Sequence, residues 1–125
     1  MSAAGGAERL TEGLTNEVRY EVTPAMVPGH VRGRVLSTPS LVSLIEGTCR
    51  RGVLPLLDQG YDTVGVHVCV SHERTARVGE EVEVAVRLVE IERRRLTFDV
   101  LVRGPRGDIS RGTHRRVVVD TTRFE

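Results

Sequence analysis

Residues 38–57 read TPSLVSLIEGTCRRGVLPLL, and the apolar positions in this stretch decide the fold. Leu41, Val42, Leu44, Ile45, Cys49, Val53, Leu56 and Leu57 recur at helical spacing, and their wide face predicts a helix buried on most sides. Thr38 followed by Pro39 suits an N-cap and a proline at the first helical position. Pro55 marks the last turn or the exit, and Asp58, Gln59 and Gly60 link to the next element.

Outward from this helix the chain reads as strands. Upstream, Val18, Tyr20 and Val22 alternate with Glu17, Arg19 and Glu21, a strand with one buried face, and Thr23-Pro24 ends it. Ala25 to Ser37 holds Pro28, Gly29 and Gly33 without a sustained period and is expected to be a loop. Loops this long in a compact domain tend to be functional. Downstream, Val64 to Val70 is almost continuously apolar, broken by Gly65 and His67, and suits a central strand covered on both faces. A turn at Gly79 precedes the alternating Val82, Val84, Val86 and Leu88, a strand that runs toward Ile91. Glu92 to Arg95 turns the chain, Leu96, Phe98, Val100 and Val102 return it, and a last strand runs from about Ile109 to Val119.

One strand, one helix and four strands joined by short turns give an α+β domain. Only a long antiparallel sheet is available to cover the helix, so the sheet is expected to wrap around it. Apolar residues on the sheet's second face call for a further cover, and a second copy of the chain is the expected one, as a homodimer or a dimer of dimers. At 125 residues the chain is one domain, expected over residues 15–125, with residues 1–14 as a flexible N-terminus and Met1 to Ala7 frayed.

Eighteen basic against 17 acidic residues leave a net charge of +1, too balanced for an electrostatic nucleic-acid or membrane binder. Tyr20, Tyr61, Phe98 and Phe124 are the only aromatic residues, too few and scattered to stack single-stranded bases. Cys49 and Cys69 form no CxxC pair and stand beside no histidine at metal spacing, so neither a metal nor another cofactor is expected. No charged apolar leader or long apolar span is present, and the expected location is the cytoplasm.

Five residues break the pattern. Glu46 stands on or beside the apolar stripe of the helix, where it either snorkels to water from the border or serves as a carboxylate base or nucleophile. His72 follows the apolar run where a strand meets a turn, a position that often lines a cleft; His67 and His114 compete for its role. Thr38 has a capping job, and the helix start also offers free N–H groups to an oxyanion. Gly65 inside an apolar strand marks a bulge, a packing contact with the helix, or a close approach of ligand to backbone. Cys49, in mid-face without a nearby base, is a core residue.

Residues Val35 to Val118 resemble the fluoroacetyl-CoA thioesterase family of hotdog-fold enzymes. The likeness lies in the helix Thr38 to Cys49 with its Leu-Ile-Glu, in Gly65 to His72 ending Cys-Val-Ser-His, in Arg94-Arg95-Leu96, and in Gly112-Thr113-His114 followed by Arg116. It implies an antiparallel sheet wrapped around one long helix, a dimer, and a site near the dimer interface that hydrolyses an acyl-CoA thioester; an acyl-carrier-protein thioester is the other expected substrate. It further implies Thr38, Glu46 and His72 as catalytic residues and Gly65, His72 and Arg116 as contacts to substrate or CoA. The family's fluoroacetyl enzyme has a longer segment before the helix, with phenylalanines forming a lid. Ala25 to Leu36 has none, so selectivity for a fluorinated acyl group does not carry over. A non-hydrolytic acyl-binding module and a hotdog dehydratase or isomerase are the other functions this fold can host.

Overall fold

A computed structural model describes residues 5–30 and 33–123. It contains strand β1 (Thr15–Glu21), helix α1 (Thr38–Val53) and strands β2 (Tyr61–Val70), β3 (Glu81–Glu92), β4 (Arg95–Gly104) and β5 (Gly107–Asp120). Single 3₁₀ turns at Pro24–Met26 and Leu54–Leu56 flank the helix region. The strands form one antiparallel sheet in the order β1-β3-β4-β5-β2.

The helix lies in the concave face of this sheet. Leu41, Ile45, Cys49 and Val53 are buried, and α1 packs chiefly on β3 and β1. Val82, Val84, Val86 and Leu88 of β3, with Leu96, Phe98, Val100 and Val102 of β4, complete an aliphatic core with one aromatic ring. The helix begins one residue earlier than a Thr38 cap requires. Ser37 is the cap, its hydroxyl accepting the Ser40 N–H at 3.2 Å, and Thr38 is the first helical residue. Its side chain is thereby released from capping. At the other end Arg50 grips Asp62 with two hydrogen bonds of 2.9 and 2.6 Å, which fixes the helix exit to the start of β2.

Three expectations change. The run Val64 to Val70 is an edge strand and not a central one, with Gly65 to Cys69 exposed and paired on one side only, to β5. Its apolar pattern therefore describes a surface that the single chain leaves open. The outer face of β3 and β4 is largely polar, carrying Glu83, Arg87, Asp99 and Arg103 around the half-buried Ala85 and Leu101, and among the described residues the exposed large apolar side chains are on β2, where Val66 and Val68 are 54% and 38% exposed. The N-terminal segment packs from residue 5 onward: Ala7 and Leu10 are buried, the Asp58 amide donates to the Gly6 carbonyl at 2.9 Å, and Gly6 lies against the Tyr61 ring. Residues 1–4, the frayed end expected from sequence, and residues 31–32 of the expected loop lie outside the described residues.

Ile45 is fully buried between helix and sheet. Ile45→Ala should lower unfolding stability by about 2–5 kcal/mol, seen as a shifted urea midpoint at unchanged slope.

Candidate active site

Glu46 projects from the middle of α1 toward β2 and β5. Its Oε2 lies 3.6 Å from Nη1 of Arg116, and its side chain is 41% exposed whereas that of Arg116 is 6% exposed. The carboxylate thus stands between a buried cation and an opening. Gly65 of β2 faces the same oxygen: a Cβ built there would overlap Oε2, so only glycine lets the carboxylate lie against this stretch of backbone. The register shift between Gly65 and His67 is the bulge that the glycine announced in sequence.

Arg116 is held from several sides. Nε donates to the Thr63 hydroxyl at 2.7 Å and Nη2 to the Thr63 carbonyl at 2.9 Å, while Nη1 lies 3.2 Å from His114 Nε2. Burial lowers its pKa from the ordinary guanidinium range, and Glu46 opposes that most strongly. The family resemblance implies Arg116 as a contact to substrate or CoA; within the chain its guanidinium faces Thr63, His114 and Glu46. Sequence reading passed over Thr63, and weighed His114 only as a rival to His72. The usable signal was period two: His114 and Arg116 alternate on one face of β5, and their register partners Val68 and Gly65 share it.

His72 lies two residues beyond β2 and meets the start of the helix. Its Nδ1 is 2.8 Å from the Thr38 hydroxyl, so the cap slip by one residue creates this pair. Burial lowers the His72 pKa, with a backbone hydrogen bond at Arg74 working against it. Burial lowers His114 as well, the His67 carbonyl bond opposing and the Arg116 charge reinforcing that direction. Cys49 is buried and its thiol is pushed up to about 12, chiefly by burial, which agrees with a core role. His67 is exposed. Among the described residues no three His, Cys, Asp or Glu side chains are grouped to hold a metal ion, and no helix is long and apolar enough to cross a membrane.

One chain therefore holds two clusters, Thr38 with His72 and Glu46 with Gly65 and Arg116. Eight helical residues separate Thr38 from Glu46, about 12 Å along the axis. A groove of about 340 Å³ on the outer face of the sheet, lined in part by Thr15, Arg87 and Asp99, contains neither cluster.

Residues 18–122 match the model of the family described as fluoroacetyl-CoA-specific thioesterase. The chain belongs to that family. The fluoroacetyl-CoA thioesterase of Streptantibioticus cattleyicolor is 33% identical over 90 residues, covering 72% of this chain and 65% of its own length. The chain thus matches somewhat less than two thirds of that relative. The solved structure of the fluoroacetyl-CoA thioesterase FlK superposes with a TM-score of 0.87 at 27% identity over 92% of each chain. A mutant of FlK in complex with fluoroacetate and CoA gives 0.86 at 27% identity, over 93% of this chain and 100% of that one. A hot-dog-like protein from Thermanaerovibrio acidaminovorans, 21% identical, shares the fold with a TM-score of 0.84 over 92% of this chain and 87% of its own. The α+β hotdog expectation thus holds for this member of the thioesterase family.

Both lowered histidines affect stability in one direction. As pH falls from 7.5 toward 5.5, the unfolded chain takes up protons near the ordinary imidazole pKa that His72 and His114 in the fold still refuse. The melting temperature should fall across that window, and His114→Gln should flatten the slope; an unchanged slope would remove His114 from the effect.

Proposed function

We propose that this protein hydrolyses an acyl-CoA thioester to free acid and CoA. The supporting observation is the Glu46 carboxylate, held between Arg116 and Gly65 and open on its remaining side, in a chain of the fluoroacetyl-CoA-specific thioesterase family. Hydrolysis joins a water oxygen to the acyl carbon and breaks the C–S bond, and Glu46 serves as the nucleophile or as the activator of that water. His72 moves the proton and delivers it to the departing thiolate, a task for which an imidazole that titrates near neutrality is suited. Thr38 occupies His72 Nδ1, so substrate meets the ring from the Nε2 side. The Gly65 backbone, bare of a side chain and beside the carboxylate, lines the approach of the thioester carbonyl. The acyl group is a matter for experiment, since no phenylalanine lid precedes the helix.

The working unit in this reading is a homodimer joined through β2. An edge strand exposing Val66, Val68 and Cys69 and leaving one row of backbone groups unpaired is built for pairing with a second copy. With the two-fold at Val68, position 65 of one copy faces position 71 of the other. The partner's His72 then comes beside Gly65 and Glu46, and the two clusters of a single chain become halves of two shared sites.

Release of CoA from short, branched, aromatic and long acyl-CoAs, followed with a thiol reagent, tests the reaction. Glu46→Gln should lose most turnover while its melting temperature stays close to that of the parent chain. CoA binding without turnover of any substrate would make the protein a binding module.

Subunit mixing tests the arrangement. Glu46→Gln and His72→Ala chains, each inactive alone, should recover about a quarter of parent activity after exchange, because one of the two sites in each mixed dimer is then intact. No recovery among mixed dimers, or a chain that sediments as a monomer, would exclude the shared site.

A further inference from the structure

His114 lies on the floor of this site without reaching its surface. It is fully buried, and its ring stacks on Phe98 with centroids 6.5 Å apart and planes at 26°. Nδ1 is 2.8 Å from the His67 carbonyl. A carbonyl can only accept, so Nδ1 carries the proton, and in the neutral ring Nε2 is left with a lone pair. That lone pair points at Nη1 of Arg116, 3.2 Å away, and guanidinium nitrogens only donate. The same Nη1 reaches Glu46 Oε2 at 3.6 Å. A chain of fixed polarity therefore runs from the bulged backbone at His67, through the His114 ring and the Arg116 guanidinium, to the carboxylate.

We propose that His114 is a positioning residue for Glu46: by accepting from Arg116 it fixes the plane of the guanidinium, and so the place of the carboxylate against Gly65. Thr63 sets the opposite edge of the guanidinium. With both edges bound the group cannot rotate about its Nε–Cζ bond without losing a hydrogen bond of a buried side chain. Burial favours the neutral ring, the protonation state in which this acceptor exists. His114 also pins the bulge beside Gly65 through the His67 carbonyl, so one ring registers both walls against which Glu46 rests. A ring that merely filled the core would need neither polarity.

This inference rests on the thioesterase reading only where activity is measured. Two side chains separate the two contacts of the ring. In His114→Asn the amide N–H replaces Nδ1–H toward His67 and no acceptor remains for Arg116, whereas in His114→Gln the amide oxygen stands near the place of Nε2 and can receive Arg116. On an acyl-CoA that the parent enzyme turns over, His114→Asn should lower kcat about tenfold or more with KM within about twofold, and His114→Gln should recover most of that loss, since displacing a reacting group by about 1 Å can cost up to about a hundredfold. Independently of activity, the Nη–H proton resonances of Arg116 at low temperature should be resolved in the parent and in His114→Gln and averaged in His114→Asn. Equal losses in both variants that track a fall in melting temperature would overturn the proposal, as would unaltered kcat and unaltered Arg116 resonances in a folded His114→Asn. If the parent hydrolyses no acyl-CoA, the thioesterase reading fails, and the Arg116 resonances still decide the role of His114.

Discussion

A guanidinium taken out of water under the helix constrains everything around it. Desolvating such an ion costs several kcal/mol, and the cost is offset only when its donors are bound and its charge is faced by another. Arg116 meets both conditions through Thr63, His114 and Glu46, one from each of β2, β5 and α1. The three partners are consequences of one another. Thr63 must offer both its hydroxyl and its carbonyl, His114 must be neutral with its proton on Nδ1, and residue 65 must lack a Cβ so that the carboxylate can come close. Lysine would not serve here: its ammonium is a point charge, and this site binds separate edges of a planar fork. The absence of lysine from the whole chain carries no such meaning elsewhere. Arg106 on Glu80 and Arg103 on Glu83 are exposed pairs of the kind that contributes little to stability.

Much of the fold was legible because period and length sufficed. The helix from Thr38, the alternating β3 and β4 and the order of elements follow from where Val and Leu recur, and the bulge at Gly65 follows from a glycine in an apolar run. Each misplaced feature has its own physical cause. Ser37 and Thr38 are adjacent hydroxyls with equal claims to the cap; Ser37 takes it, and Thr38 is left to meet His72. Val64 to Val70 reads as buried because apolar content alone does not tell a central strand from an edge strand with an uncovered face. The Gly-rich start reads as frayed because small residues carry little propensity, yet Gly6 is needed where backbone passes under Tyr61.

The candidate site was partly legible for a related reason. Glu46 stood out because a carboxylate on an apolar stripe demands an explanation, and His72 because it closes a strand. Arg116 entered only through the family resemblance, as a contact to substrate or CoA; its burial depends on Thr63, 53 residues away in sequence, which no local pattern reveals. His114 was visible as a histidine and invisible as a link, since its meaning lies in which nitrogen carries the proton.

The edge strand carries the geometry one step further. Within a chain, the helix axis separates the Thr38–His72 pair from Glu46 by about 12 Å, a distance no proton crosses in one step. A rigid helix cannot shorten it, and the Arg116 network anchors Glu46 at its end, so closure within one chain would have to break the contacts that position the carboxylate. Antiparallel pairing of two β2 edges needs no such break. It brings the terminus of one strand to the middle of the other, covers Val66 and Val68, and satisfies the open row of backbone groups in the same event. In the proposed dimer, the apolar content that makes β2 read as a covered strand and the division of the polar residues into two clusters have one explanation: a strand whose second partner is another copy of itself.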